Sequence, residues 1–398
     1  MRPAARVASR FGFWAWVALL LLPLLAVVTV LRFTRGLGAT TNLSDRFPWG
    51  LWIGFDVLCG VGLAAGAFTL TSVVHLFNLR RFEPIVRPTV LTAFLGYAFV
   101  IVALMFDLGQ PWRIWHALVF WNPHSVMFEV AWCVMLYTTV LALELSPVVF
   151  ERFRLAGPQR VIRIVYTPLV IVGVILSTLH QSSLGSLYLI VPSKLHPLWY
   201  TPLLPLLFYI SAIGAGLGMV IIESYLSGRS IGRRLELRLL EPLGRAMVVV
   251  LGVYGVLRFL ALRRSGALAE LLTPSYESLM FLLEISLAVL LPVGLLCVPR
   301  VRASERGLVA AAFLAILGFV MNRLNVAVTG MERAAGVRYL PSWMELTVSV
   351  GLVAVGFAAF AVAVRVLPIF PEAAEAAREG PAEPDDGEAH ALAESVPA

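Results

Sequence analysis

Ten apolar stretches follow one another along the chain, near residues 14–31, 49–77, 88–106, 125–146, 164–184, 202–226, 245–262, 277–298, 307–329 and 343–366. A helix needs about 20 apolar residues to cross the hydrocarbon of a bilayer. No water is present there to satisfy a bare backbone, so each stretch is expected to be helical. The fold class that follows is an all-α polytopic membrane protein, with about ten transmembrane helices in a compact bundle. An apolar content of 59% against 14% charged residues agrees with that class and leaves soluble packing without support.

The opening MRPAARVASRFGFWAWVALLLLPLL has the arginines and apolar run of a signal peptide. No small-residue cleavage site follows, and the segment reads as a retained first span. The termini and the loops 78–87, 147–163, 227–245 and 299–306 hold about twice as many Lys and Arg as the alternate loops. The positive-inside rule therefore puts both termini in the cytoplasm. Three regions result: a cytoplasmic N-terminus over 1–13, a ten-span domain over 14–367, and an Ala/Glu/Pro-rich tail over 368–398. The tail has too few large apolar residues to fold alone and is expected to be disordered.

The net charge of +7 sits in short clusters between apolar runs, the pattern of membrane-surface loops and not of a nucleic-acid interface. Cys59, Cys133 and Cys297 all lie inside apolar runs with no C-x-x-C spacing, so neither a disulfide framework nor an iron–sulfur or zinc site is indicated. The pairs Gly62/Gly66 and Gly214/Gly218 suit close helix contacts.

Charge inside a span costs a few kcal/mol, so such residues normally face the bundle interior and pair, or line a water-filled path. Given the orientation, Asp56 lies roughly 10 Å below the outer surface. Glu129, His180, Gln181, Glu277, Glu284, Asn322, Arg323, Asn325 and Glu345 fall in the same outer region of their spans. Some of these would simply tie helices together or sit at the interface, and an Arg323–carboxylate pair is one such arrangement. Glu223 and His75 instead lie near the cytoplasmic ends of their spans, either as interfacial residues or as the mouth of an inner proton path. Trp49, Trp52, Trp112, Trp115, Trp121 and Trp132 suit an interfacial aromatic belt or the flanks of a planar head group.

A b-type haem needs paired axial histidines at one depth. Only His75 and His180 lie clearly within spans, near opposite faces, so no haem is expected. A secondary transporter would also bury charges between helices, but it predicts inverted repeats and midplane breaks that are not evident here.

The stretches FPWGLWIGFD (47–56), NPHSVMFEVAWCVMLYT (122–138), LEL followed by PVVFERF (143–153), HQSSLGSLYL (180–189), KLHPLW (194–199) and LPSWMELTVSVG (340–351) carry a resemblance. They resemble the HybB-type integral membrane subunit of hydrogenase-2-type uptake [NiFe] hydrogenases, within the NrfD/polysulfide-reductase membrane-subunit family. The resemblance runs from about residue 33 to 368 with similar spacing. It implies a subunit of the bacterial inner membrane with no haem and no iron–sulfur cluster of its own. Such a subunit passes electrons from a periplasmic ferredoxin-like iron–sulfur partner to menaquinone or ubiquinone, beside the small and large hydrogenase subunits. A molybdenum reductase is the alternative catalytic partner within the same family.

Carried over by residue, the resemblance puts the intramembrane acids on Asp56, Glu129 and Glu223, and the HQSS motif on His180, Gln181, Ser182 and Ser183. Asp56, Glu129 and His180 are thus the candidates for proton exchange with the quinone. Trp52, Gln181, Ser182, Arg323 and Glu284 are candidates for holding it, Glu223 and His75 for a proton path, and no metal site is expected. The loops 34–48, 107–124, 185–201 and 330–342 are candidate docking surface for the iron–sulfur partner.

Overall fold

A computed structural model describes residues 11–231 and 237–370. The N-terminal residues 1–10 and nearly all of the expected tail, 371–398, lie outside the described residues. Ten long helices form the framework: α1 (Phe11–Arg35), α2 (Trp52–Leu76), α3 (Glu83–Asp107), α4 (Val126–Phe153), α5 (Ala156–Leu187), α6 (Leu204–Ile231), α7 (Leu237–Ser265), α8 (Tyr276–Cys297), α9 (Glu305–Ala335) and α10 (Trp343–Val366). Among the described residues, α2 to α10 are long and apolar enough to cross a membrane. They correspond to the second through tenth expected spans, and α1 contains the first.

Several helices outrun their apolar stretches. α5 begins at Ala156, two turns before the expected start at 164, and carries Arg160 and Arg163 in the extension. Hydropathy marks only the hydrocarbon-facing part of a helix. The backbone stays helical beyond it while long arginine side chains reach for water.

Polar caps set the helix starts at the tryptophan-rich end. Ser125 accepts from the Phe128 amide at α4, and Ser275 and Ser342 form capping boxes at α8 and α10. The opposite, arginine-rich end carries Arg80, Arg81, Arg87, Arg152, Arg154, Arg160 and Arg163.

The main core joins α2, α3, α4, α5 and α6 with the 195–199 loop, around Phe68, Tyr97, Tyr137, Tyr188, Trp199 and Phe208. α4 lies along α5, and α2 along α6. The second contact depends on Gly66 and Gly216. A Cβ on Gly66 would stand 1.8 Å from the Ala212 carbonyl oxygen, and one on Gly216 would stand 2.0 Å from the Gly66 carbonyl carbon. α1 packs on α10 through Leu25, Val28, Val348 and Leu352.

Among the described residues three π-helical turns interrupt the framework, at Trp52–Val57, Ser286–Leu290 and Asn325–Thr329. Such turns shift the side chains that follow by about one position and recur at functional sites. Here the first holds Asp56, the second follows Glu284 and the third begins with Asn325.

Candidate functional site

The acids near the tryptophan-rich end fall into separate hydrogen-bonded groups. The most deeply buried centres on Glu284 of α8, which is fully buried. It accepts from the Trp199 indole at 2.7 Å, Asn322 Nδ2 at 2.7 Å and Asn325 Nδ2 at 2.9 Å. Asn322 in turn accepts from Arg323 Nη1 at 2.6 Å. Arg323 thus reaches a carboxylate only through an amide. Its Nη2 donates to the Phe208 carbonyl at 2.9 Å and to Ser211 Oγ at 3.0 Å. The guanidinium lies between the Phe208 and Phe319 rings, 3.7 and 4.4 Å from their centroids. Three donors on one carboxylate and a stacked guanidinium compensate the burial of both charges, and they lock α6, α8, α9 and the 195–199 loop together.

Glu345 plays a similar part at the start of α10. It accepts from the Ser342 amide at 2.8 Å, the Asn42 amide at 3.0 Å and the Tyr339 hydroxyl. Burial and the bond to Glu345 push the Tyr339 hydroxyl above its ordinary range. Trp52, almost wholly buried, donates its indole N–H to the Glu345 carbonyl at 3.2 Å and packs against Phe106. Its faces are thereby occupied by protein.

Asp56 is half-buried and accepts from Ser349 Oγ of α10 at 2.5 Å. Asp107, at the end of α3, is within its electrostatic reach and has one buried oxygen with no partner among the described residues. Neighbouring Arg32 does not pair with Asp107; it donates to the Phe106 and Leu108 carbonyls, each at 2.6 Å.

Glu129 is exposed on the first turn of α4, where Ser183 Oγ of α5 donates to it at 2.5 Å. Ser182, one residue earlier, returns its hydroxyl to the Leu179 carbonyl of its own helix at 2.9 Å.

The interior face of α5 is less fully bonded. His180 and Gln181 are completely buried. His180 Nδ1 meets the Tyr97 hydroxyl of α3 at 2.9 Å, while its Nε2 has no partner among the described residues. Neither atom of the Gln181 amide has one, nor has the buried hydroxyl of Tyr188, two turns further along. Trp49 meets Tyr188 edge-on at 5.6 Å, and Tyr188 faces Phe208, the ring that stacks on Arg323. His180, Gln181 and Tyr188 therefore offer both donors and acceptors within one apolar interior.

At the arginine-rich end His75 is exposed, 3.3 Å from Thr167 Oγ1, with its ring against Tyr166. Glu223 of α6 is buried, with Thr92 of α3 as the facing hydroxyl, but neither of its oxygens closes a hydrogen bond among the described residues. The two residues occupy separate places. Outside the spans, His196 of the KLHPLW stretch approaches Arg333 Nη1 at 3.3 Å. Burial holds its imidazole below the ordinary range, opposed by Glu277 and assisted by Arg333. Among the described residues no group of three or more His, Cys, Asp or Glu is arranged to hold a metal ion.

Tyr97, Tyr188, Trp199, Asp107 and Glu144 were not singled out by sequence. Aromatic residues within apolar runs carry no mark that distinguishes a hydrogen-bonding role from plain core. Glu144 did carry a signal: with Glu129, Cys133 and Tyr137 it recurs at helical spacing along α4.

The family model for polysulphide reductase, NrfD, matches residues 39–335, three-quarters of the chain. The chain belongs to the NrfD family. Similar NrfD-related proteins include the probable Ni/Fe-hydrogenase 2 b-type cytochrome subunit of Escherichia coli K12, 35% identical over 88% of this chain and 91% of the relative. The integral membrane subunit of menaquinone reductase from Nitratidesulfovibrio vulgaris is 30% identical over 94% of this chain and 93% of the relative. A selenate reductase subunit of Mesobacillus selenatarsenatis is 24% identical over 88% and 93%. The NrfD match covers every group described above except Arg32 and the residues beyond 335: Tyr339, Ser342, Glu345 and Ser349.

Proposed function

We propose that this NrfD-family chain is the membrane-embedded, quinone-reactive subunit of a respiratory oxidoreductase, accepting electrons from an iron–sulfur partner at the tryptophan-rich end. The observation that carries the reading is the unbonded interior face of α5. Buried polar groups in a folded protein are nearly always paired, and an unpaired one costs about 1–3 kcal/mol. His180 Nε2, the Gln181 amide and the Tyr188 hydroxyl are unpaired groups that a planar ligand with two carbonyl oxygens would satisfy. When the Tyr97 hydroxyl donates to Nδ1, the imidazole proton sits on Nε2 and faces outward as a donor. The Gln181 amide and the Tyr188 hydroxyl supply the second polar contact.

Reduction of a quinone to a quinol consumes two electrons and two protons. His180 and the nearby acids are the groups suited to exchange those protons. Glu129 stands on α4, held by Ser183, itself close along the chain to Gln181. Asp56 is held by Ser349, with Asp107 in electrostatic range. In this reading the electrons come from the iron–sulfur partner.

The asymmetry of Lys and Arg supports an arginine-rich end in the cytoplasm and a tryptophan-rich end outside, in a bacterial inner membrane. The exposed Trp112, Trp115 and Trp121 of the 107–124 loop suit the outer interface, beside the docked partner. Similarity to the hydrogenase-2 relative over nearly its full length favours [NiFe] hydrogenase small and large subunits as the catalytic partners. The similarity to a selenate reductase subunit keeps a molybdenum reductase as the second reading.

The test is quinone reduction by the purified complex, run beside reduction of an artificial dye that takes electrons from the catalytic partner directly. Asp56→Asn and Glu129→Gln should abolish the quinone reaction and spare the dye reaction. Normal quinone turnover in both variants would remove these acids from the mechanism.

A further inference from the structure

A cavity of about 800 Å³ opens at the arginine-rich end, between the ends of α2, α3, α4 and α5, with Ile369 and Phe370 on its rim. Its wall is mixed, with His75, Arg87, Gln159, Arg163 and Tyr166 among apolar side chains. Glu144 of α4 also lines it. That carboxylate is 4% exposed, and its Oε1 has no hydrogen-bond partner among the described residues. The cations nearby do not neutralise it. Arg87 pairs with Glu151 at 3.0 Å and donates to the Pro368 carbonyl at 2.9 Å. An unpaired, buried acid lining a mixed cavity at the arginine-rich end of a span is placed as the entry carboxylate of a proton relay would be.

From Glu144 a series of polar groups leads along the α4–α5 seam toward the other end. Tyr137 lies two turns along α4 on the same side, roughly 10 Å away by helical rise. Its buried hydroxyl faces Ser177 of α5 without closing a bond, while Ser177 Oγ lies 3.3 Å from the Ala65 carbonyl. The Tyr137 ring meets that of Tyr97 edge-on at 4.6 Å. Tyr97 in turn bonds His180 at 2.9 Å. Internal water is the usual partner of unpaired buried groups such as the Tyr137 hydroxyl, and the route requires it between Glu144 and Tyr137. Glu223 does not line the cavity, which sets it apart from this route.

We infer that Glu144 is the intake carboxylate of a proton route running from this cavity through Tyr137, Ser177 and Tyr97 to His180. The inference rests on the quinone reading above and names the source of its protons. For each quinone reduced, two protons enter from cavity water at Glu144 and two leave the imidazole for the quinone oxygens. Each hydroxyl passes one proton on as it receives another, so the column keeps its charge. The imidazole gives up its Nε2 proton while gaining one at Nδ1, and returns to its first tautomer before the second transfer. Quinol oxidation runs the same route backward.

Two measurements test it. In a Cys297→Ser background, Glu144→Cys should react with a membrane-impermeant maleimide from the same side as Gln159→Cys on the cavity wall. Failure to label, or labelling from the opposite side, would overturn the inference whether or not quinone is the substrate. In proteoliposomes, Glu144→Gln should lower kcat for quinone and proton uptake from the cavity side at least tenfold, with KM for quinone unchanged and partial recovery in Glu144→Asp. Wild-type proton uptake by Glu144→Gln would overturn the route and leave the quinone reading standing. A wild-type complex inert toward quinone would overturn both.

Discussion

Tyr97 of α3 and His180 of α5 meet across the bundle interior through a 2.9 Å hydrogen bond, and that bond leaves the opposite imidazole nitrogen free. Both side chains are completely buried. The bond therefore fixes the orientation of the imidazole that we propose exchanges protons with the quinone.

Removing the hydroxyl should expose that role. Tyr97→Phe preserves the packing on Tyr137 but leaves Nδ1 unpaired, a cost of about 1–3 kcal/mol for a buried group. Quinone turnover should fall about tenfold or more through loss of the preferred tautomer. Steady-state kinetics of the variant complex with a soluble quinone analogue will measure it.

The Glu284 knot should respond as structure. Glu284→Ala strands the donors of Trp199, Asn322 and Asn325 and leaves Arg323 without its relayed countercharge, so stability should drop by about 3–5 kcal/mol. Thermal unfolding in detergent is the measurement, with Glu284→Gln intermediate. A well-folded Glu284→Ala protein that had merely lost quinone affinity would return Glu284 to the ligand-binding set.

The contrast between these two sites shows what a sequence can carry. Apolar runs of bilayer length are direct consequences of the solvent, so the number and order of the spans were legible, while the helix ends beyond the hydrocarbon were not. The acids and the HQSS stretch stood out because charge and amide are costly in lipid. Their partners did not stand out. Trp199 reaches Glu284 from a loop 85 residues away, and Tyr97 reaches His180 across 83. Both look like ordinary core aromatics until the helices are assembled. The π-helical turns that re-aim Asp56 and Asn325 leave no trace in hydropathy, and Glu144 was overlooked although it continues the polar side of α4.

His196 should give the protein an acid-sensitive step. Burial keeps its folded-state imidazole below the ordinary value of about 6.5, Glu277 opposing and Arg333 assisting. The unfolded chain then takes up a proton first. The contribution to stability is complete above about pH 6.5 and is lost as pH falls from there toward the lowered folded value. Unfolding midpoints measured from pH 8 to pH 5 should decline over the acid half for the wild type and flatten in His196→Gln.

The central claim concerns the unbonded face of α5, and quinone affinity tests it most directly. Binding of a fluorescent or photoreactive quinone analogue to purified protein should weaken at least tenfold in His180→Leu and in Gln181→Leu, with the partner's dye activity unchanged. Unaltered binding in both variants, in protein that unfolds at the wild-type temperature, would contradict the account.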